Sequence, residues 1–414
     1  MFSPVPKGLP SHRQFVNSVS DAELSDFTAR LSFSANDPAA FEEMREHILG
    51  QSEGVEVQHS FVDDHGQIFD CIPIEQQFSL KGTGIKVAKP IDLEVPASGS
   101  LSKTTLIQSP LGVGRSDKFG NDMRSPDATI PVRRVTLEEL TRFGSMREFF
   151  RKPPLGRGRH PRLSPPPDID SQVHKYAHAF QDVPSLGGHS FIDIWDPAVG
   201  SQVFSLSQQW YAGGDPVQTA ECGWQVFPQK YQTTKPVLFI YWTADDYGQT
   251  GSYNLDDKGF VQTNNSWPLG SALDTISTDG GQQFELEITW QLVSGNWWLY
   301  INGAMASDAI GYYPTALYAG GQMATNATNV DYGGEVVNQT FWPPMGSGAF
   351  ANLGNLHAAY HRDIYYFDLN SAPHQANLTP VEESANCYTI NPALNPDPWN
   401  ANFFFGGPGG TACN

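Results

Sequence analysis

The sequence predicts a mainly β protein: an antiparallel, jelly-roll-like β-sandwich preceded by a small α+β unit. From residue 173 onward, short apolar runs alternate with turn residues, and helical periodicity is almost absent. Within one run, Phe284, Leu286 and Ile288 share one face while the polar residues between them share the other. Before residue 150, helix-capping signals and a helical apolar period occur instead. The chain therefore divides into an N-terminal mixed unit and a C-terminal sandwich.

The N-terminal unit, residues 1–150, contains three predicted helices and one predicted hairpin. Helix starts are predicted at Ser20, at Asp37 and at Thr136, each followed by apolar residues at helical spacing. Residues 55–75 change to a two-residue period around a turn, which predicts two paired strands. We therefore expect a small α+β domain here.

A linker, residues 151–172, separates the two units. Between Arg151 and Asp170 it contains several prolines and five Lys or Arg residues without periodicity. A plain spacer and an exposed processing site both fit such a stretch. The abrupt change of composition on either side favours the processing site and leaves residues 173–414 as the sandwich domain.

The formal net charge of −19 belongs almost entirely to the C-terminal part. Residues 1–170 contain 20 Lys or Arg and 23 Asp or Glu, whereas residues 171–414 contain 5 and 21. An acidic surface of this kind repels nucleic acid and anionic membranes, so neither is expected as a partner. Carboxylates that repel one another at neutral pH lose charge in acid, so the composition favours a protein that works at acidic pH.

The four cysteines form two groups. Cys387 and Cys413 bracket a tail rich in Pro, Gly and Asn, and we expect a disulfide between them. Cys71 and Cys222 lie in different units, and two interpretations stay open: a disulfide that ties the units together, or two buried free thiols.

Several sequence features indicate secretion. Asn-X-Ser/Thr sequons at residues 264–266, 326–328, 338–340 and 377–379 are typical of a secreted glycoprotein. The first residues contain no apolar leader, so we expect a signal peptide to be missing from this numbering. The protein is expected to be extracellular and monomeric.

Two glutamates have unusual neighbours in the sequence. Glu221 lies in the strand-like run 219–226 among apolar residues, and Glu335 follows the glycine pair Gly333 and Gly334. Two carboxylates brought close cannot both ionise easily, so one can take a proton from water while the other donates a hydrogen bond to a carbonyl oxygen. The sequence contains no G-x-S-x-G and no H-E-x-x-H motif, and we expect neither a metal nor another cofactor.

The stretches around these glutamates resemble the neprosin family of glutamic peptidases. The C-terminal stretches that carry the resemblance are residues 204–208, 221–226, 241–247, 259–262, 295–299, 333–336, 345–348 and 405–409. Residues 69–72 and 129–134 are similar to the activation domain of that family. The matches occur in the expected order and extend over nearly the whole chain after residue 55.

The resemblance implies a secreted zymogen, in which a prodomain inhibits a β-sandwich endopeptidase until the prodomain is removed in acid. It implies cleavage after proline in protein or proline-rich peptide substrates, with Glu221 and Glu335 as the catalytic pair. The matched positions that could line the substrate cleft are Gln208, Trp224, Trp242, Tyr247 and Ser347. The run 251–257 departs from the plant members, which have two cysteines there.

Two other classes of protein also fit paired carboxylates in a tryptophan-rich sandwich. One is a glycosidase, in which the separation of two glutamates sets the stereochemical outcome. The other is a non-catalytic sugar-binding module. The linker and the activation-like unit favour the peptidase, and the sequence leaves open which glutamate is the base.

Overall fold

The computed structural model describes residues 6–28, 38–112, 114–152, 173–200, 202–338 and 341–413. The α-helices are α1 His12–Ser20, α2 Pro38–Ser52, α3 Leu137–Leu140, α4 Met146–Phe150 and α5 Pro228–Tyr231. The strands before the linker are β1 His59–Val62, β2 Ile68–Pro73, β3 Thr104–Leu106 and β4 Thr129–Arg133. The strands after it are β5 Val173–Ser185, β6 Gly187–Asp193, β7 Phe204–Gly213, β8 Gln218–Val226, β9 Val237–Thr243, β10 Ser252–Tyr253, β11 Val261–Gln262, β12 Gln283–Val293, β13 Asn296–Ile301, β14 Ala309–Pro314, β15 Ala327–Asn338, β16 Ala359–Phe367, β17 Pro373–Gln375, β18 Thr379–Glu382, β19 Thr389–Leu394 and β20 Ala401–Gly406. Within the described residues, no helix is long and apolar enough to span a membrane.

Two large antiparallel sheets form the sandwich. The first has the strand order β10-β9-β8-β7-β15-β5-β18, and the second has the order β11-β14-β13-β12-β6-β16-β20-β19, with β17 beside β16. One hydrophobic core fills the space between them and includes Trp224 from the first sheet and Trp290 and Trp297 from the second. The predicted mainly β class and the antiparallel sandwich are confirmed.

The N-terminal unit combines short helices with a three-stranded sheet of order β1-β2-β4. The predicted hairpin is β1 and β2, which pair antiparallel. Arg134, just after β4, makes two hydrogen bonds to the carboxylate of Asp70 in β2, at 2.8 and 2.6 Å. Both side chains are buried, so this bidentate pair fixes the end of β4 against β2.

The helix starts were predicted with mixed success. Thr136 caps α3 as predicted, through a capping box with Glu139. The prediction at Ser20 was wrong, because α1 ends there and begins after Ser11, whose hydroxyl accepts a hydrogen bond from the backbone N–H of Gln14. The prediction at Asp37 lies outside the described residues.

The N-terminal segment covers both outer faces of the sandwich. The apolar sides of α1 to α4 pack over the first sheet. An extended arm, residues 88–107, runs along the second sheet, where β3 pairs parallel with β12. Further along the arm, the backbone N–H of Ala88 donates to the hydroxyl of Tyr312 at 3.0 Å. The hydroxyl of Tyr300 donates to the carbonyl of Ile91 at 2.9 Å.

The structure contains one disulfide and two free cysteines. Cys387 and Cys413 form the predicted disulfide. Cys71 and Cys222 are buried free thiols, so the alternative of a disulfide between the two units is wrong. Cys71 packs inside the N-terminal unit and Cys222 inside the sandwich core. Burial raises the pKa of the Cys71 thiol to about 12 and raises that of Cys222 as well, so neither is a reactive thiolate.

Replacing Cys387 and Cys413 by serine should destabilise the sandwich. The disulfide joins residues 26 positions apart, and the chain-entropy relation gives about 3.5 kcal/mol for a loop of that length at 25 °C. Urea unfolding of the double variant and of the wild type measures the difference in their free energies of unfolding. A reductant should lower the unfolding midpoint of the wild type and leave that of the variant unchanged. Equal unfolding midpoints with and without reductant would contradict this prediction.

Candidate active site

The outer face of the first sheet carries the two glutamates singled out in the sequence. Glu221 lies in β8 and Glu335 in β15, and β7 lies between these strands. In the register, Trp210 of β7 is opposite Glu221 and Leu206 is opposite Glu335. Gln208 lies midway between these two positions, and because side chains alternate along a strand it faces the same side as both glutamates. The sheet therefore gathers three polar side chains on one face.

The two glycines before Glu335 allow other parts of the chain to come close to β15. Gly333 has φ of +146°, and a Cβ there would lie 2.6 Å from the carbonyl oxygen of Ala177 in β5. A Cβ on Gly334 would lie 2.5 Å from the ring of Phe405 on the core side. Larger residues here would push β15 away from its neighbours and displace the Glu335 side chain.

Neutral donors surround Glu221, whose side chain is fully buried. Its Oε1 accepts hydrogen bonds from the hydroxyls of Tyr247 at 2.7 Å and Thr219 at 2.8 Å. Its Oε2 accepts one from Nε2 of Gln208 at 2.9 Å. Burial, together with the nearby charge of Glu221, raises the pKa of Tyr247 well above its ordinary value, so Tyr247 stays a neutral donor.

Glu335 has a different set of neighbours. Its Oε1 accepts a hydrogen bond from the hydroxyl of Tyr176 at 2.8 Å and lies 2.6 Å from Nδ1 of His174. Its Oε2 makes no hydrogen bond but lies 3.3 Å from Nζ of Lys152. Burial by itself would raise the pKa of Glu335. The charge of Lys152 and the hydrogen bonds from His174 and Tyr176 outweigh burial and lower this pKa to about 2.

Lys152, at the end of the N-terminal segment, inserts its ammonium group between the two carboxylates. Its Nζ lies 2.6 Å from Oε2 of Glu221 and 3.3 Å from Oε2 of Glu335. The same nitrogen donates a hydrogen bond to Oε1 of Gln208 at 3.0 Å. The lysine is 1% exposed. One buried cation therefore faces two buried carboxylates, with the remaining donors on the sheet completing the cluster.

The Lys152 side chain occupies an aromatic slot, which we define by the rings of Trp210 and Phe239. These ring centres lie 5.3 and 5.9 Å from the Lys152 nitrogen, a distance at which the ring faces attract a cation. Apolar residues of α3 and α4 and of the turn between them close over this face: Leu140, Phe143, Met146 and Phe149. The carboxylate pair is thereby sealed from solvent, with both glutamates 0% exposed.

The structure brings two of the five predicted cleft residues to the carboxylate pair. Gln208 and Tyr247 both bind Glu221 directly. Trp224 and Trp242 lie on the opposite face of the sheet, in the core between the sheets, so they do not line this site. The Ser347 hydroxyl accepts a hydrogen bond from a backbone N–H two residues further on, and its described contacts do not reach either glutamate.

Sequence reasoning missed several residues that the structure places at the pair. Lys152 was assigned to the linker, and His174 was not proposed as a site residue. Thr219 and Tyr176 were not considered. The alternation in β5 does place His174 and Tyr176 on one face, but only the register with β15 reveals that this face is the one that carries Glu335.

Comparison with known proteins places this site in a family. A family model described as Neprosin matches residues 201–408, half of the chain, and that range includes both glutamates. Two solved structures of scytalido-glutamic peptidase with transition-state analogues are 6% identical and cover 57% of this chain and 98% of theirs, with TM-scores of 0.29 and 0.32. A structure of SCP-B, described as a member of the Eqolisin family of peptidases, in complex with a tripeptide, is 5% identical over the same fractions, with a TM-score of 0.30. Because the family model covers half of the chain and includes both glutamates, this chain belongs to the neprosin family and is a glutamic peptidase.

Proposed function

We propose that this glutamic peptidase is a secreted, acid-acting endopeptidase that is made as a zymogen, cuts preferentially after proline, and uses Glu221 and Glu335 as its catalytic pair. The observation that carries the proposal is the position of Lys152, whose nitrogen lies within 3.3 Å of both carboxylates. A group in that place contacts both carboxylates at once. The catalytic water of a carboxylate pair needs the same position, because one carboxylate activates the water while the other polarises the peptide bond that the water attacks.

In the proposed mechanism, a water takes the place of the Lys152 ammonium. Glu335 is the ionised member and takes a proton from this water as its oxygen attacks the carbonyl carbon. Adjacent carboxylates do not ionise together easily, so the pair holds one shared proton, and Glu221 uses it to donate a hydrogen bond to the carbonyl oxygen as negative charge develops there. Glu335 then passes its proton to the leaving nitrogen, and the C–N bond breaks. Gln208 and Tyr247 hold Glu221 in place through this sequence.

The N-terminal segment acts in this proposal as the inhibitor of its own enzyme. Residues 1–150 form the prodomain, and residues 151–172 form the linker that is cut. Lys152 fills the water position while α3 and α4 cover the surrounding face, so substrate has no access. As the pH falls, loss of carboxylate charge weakens the attraction that holds the ammonium, so acid favours opening.

Two observations support the proposed substrate preference and location. The aromatic slot left by Lys152 lies beside the carboxylate pair, and a compact apolar ring such as that of proline could pack between Trp210 and Phe239. The sequon at Asn377 lies on an exposed part of the surface, and the disulfide between Cys387 and Cys413 suits an oxidising compartment. Proteins and proline-rich peptides are the proposed substrates of a monomeric enzyme.

Replacing either catalytic glutamate by glutamine should abolish peptidase activity. Glu221→Gln and Glu335→Gln each remove a titratable proton site from the pair, so cleavage of a proline-containing peptide at pH 3 to 4 should fall by about a thousandfold or more. Glu287→Gln is the matched control. Burial raises the pKa of Glu287 to about 7, so this strand glutamate is already neutral in acid and its amide should leave activity unchanged.

The same incubation tests the processing step by following the length of the chain. The wild type should shorten within residues 151–172 and gain activity, whereas both glutamine variants should stay whole. A wild type that stays whole and inactive at every pH would contradict the proposed zymogen, and variants that cut as well as the wild type does would exclude this pair as the catalytic site.

Lowering the pH from 4.5 toward 2 should open the cover over the carboxylates. The folded-state pKa of Glu335, about 2, lies below its ordinary value of 4.5, so the charge of Glu335 stabilises the closed state above pH 4.5. The part of that contribution that comes from Lys152 holds the cover, and it is lost as the pH falls through this range. Amide hydrogen exchange within seconds of acidification should rise in α4 before it rises in β12. Parallel changes in the two elements would contradict the prediction.

Replacing Lys152 by glutamine should allow processing at a higher pH than in the wild type. Removal of one partner from a buried ion cluster costs about 3 to 5 kcal/mol, because it leaves the opposite charges unpaired. Electrophoresis after incubation over a range of pH measures the shift. Lys235→Gln, which removes a partly exposed ion pair with Asp196, is the control and should process as the wild type does. An unchanged pH dependence in Lys152→Gln would show that Lys152 does not maintain latency.

A further inference from the structure

We infer that His174 is a positioning residue that keeps Glu335 ionised and oriented as the base after Lys152 has left. The inference rests on the proposed function, because it concerns the processed enzyme. In the closed protein, Lys152 supplies a positive charge to both carboxylates. When the prodomain departs, that charge departs with it, while β5 and its His174 remain part of the sandwich.

The position of His174 is set by the pairing of β5 with β15. Tyr176 is opposite Glu335 in the register, and His174 is opposite Val337, two residues further along on the same face. The imidazole is stacked on the ring of Tyr176, with ring centres 5.8 Å apart, and the edge of Phe204 packs against it at 6.4 Å. The His174 side chain is 3% exposed. These contacts fix the ring with Nδ1 at 2.6 Å from the carboxylate.

The two donors on Glu335 share one oxygen and leave the other free. His174 and Tyr176 both contact Oε1. Oε2 makes no hydrogen bond and is the atom that faces the Lys152 nitrogen. Once the ammonium is replaced by water, Oε2 is therefore the atom directed at that water. His174 and Tyr176 hold the carboxylate by its far oxygen and so aim its near oxygen.

The titratable groups around the pair are distributed unevenly. Those that act on Glu335 from neighbouring elements are Lys152, His174, Tyr176, Tyr247 and Tyr253. The tyrosines are neutral in acid, since a phenol loses its proton only at alkaline pH. The direct partners of Glu221 besides Lys152 are the neutral Thr219, Gln208 and Tyr247.

Within the described residues, His174 is thus the basic side chain that remains bonded to the pair once Lys152 has gone. An imidazole next to a carboxylate is protonated in acid, and its charge favours the ionised form of that carboxylate. Because this charge lies beside Glu335 and not beside Glu221, the proton that the pair shares resides on Glu221. The fully buried Glu335 keeps a partner for its charge, as a buried carboxylate requires.

The pH profile of the processed enzyme tests this role. In His174→Gln, the acid limb of kcat should move to higher pH by about one unit, which means a tenfold loss of kcat at the acid end, while KM changes little. His178→Gln is the matched control. His178 lies on the same face of β5 but bonds Asp331, at 2.5 Å, so its replacement should leave the acid limb in place.

Each result either supports or overturns the role of His174. An acid limb in folded His174→Gln that coincides with the wild type overturns it, as does an equal shift in His178→Gln. If the glutamine variant does not fold, His174→Asn and the NMR titration of the His174 ring in the processed wild type replace it. A ring that is neutral across the active pH range also overturns the role. An inactive processed wild type would instead reject the proposed function itself.

Discussion

The closed structure depends on one buried ammonium group shared by two buried carboxylates. Taking these three charged groups out of water is costly, and a single positive charge cannot neutralise two negative ones. The cluster is tolerated because hydroxyls, an amide and an imidazole on the sheet supply further hydrogen bonds to the carboxylates. The outer face of the first sheet is therefore polar at its centre and aromatic around it. The N-terminal helices match this pattern, with Lys152 at the centre and apolar side chains around it.

The attachment of the N-terminal segment to the sandwich has two parts with different chemistry. Over the first sheet, the ion cluster at Lys152 depends on ionised carboxylates. Along the second sheet, the arm of residues 88–107 is held by a parallel strand pairing and by hydrogen bonds to Tyr300 and Tyr312. A neutral backbone pairing of this kind does not respond directly to pH, whereas the cluster does. We therefore expect acid to weaken the attachment of the N-terminal segment first on the face that carries the carboxylates.

The fold class and the two glutamates could be read from the sequence because both depend on local patterns. Alternation of apolar residues predicts strands, and Glu221 and Glu335 differ from other glutamates in their immediate neighbours. Which side of the sheet an individual side chain points to depends in part on the register of strand pairing. Trp224 follows Glu221 by an odd number of positions and so points to the other side of β8, a parity that the sequence does contain. The inward direction of Trp242, opposite Ala220 in β8, is visible only from strand pairing.

The role of Lys152 could not be predicted, because its partners lie 56 and more positions away in the chain. A lysine at the start of a basic, proline-rich stretch resembles a solvated linker residue, and only tertiary structure distinguishes the two. The helix predicted to begin at Ser20 was wrong for a local reason. Ser20 is the last residue of α1, which begins after the capping box at Ser11, and a second capping box at Glu23 begins only a single turn of 3-10 helix.

In the proposed zymogen, the scarcity of cations in the C-terminal part explains how one sheet face can serve both a latent and an active state. With 5 Lys or Arg in residues 171–414, the sandwich has few permanent positive charges to place near its carboxylates. A lysine or arginine fixed beside the pair would hold both glutamates ionised at any pH, and neither could then donate a proton. In this proposal, Lys152 of the N-terminal segment supplies a permanent cation that leaves with the prodomain, and His174 places an imidazole beside Glu335 only. The proposed inhibition by Lys152 acts on both carboxylates together. The histidine that we propose to remain beside Glu335 makes the two carboxylates unequal, which is the condition for acid and base to act as a pair.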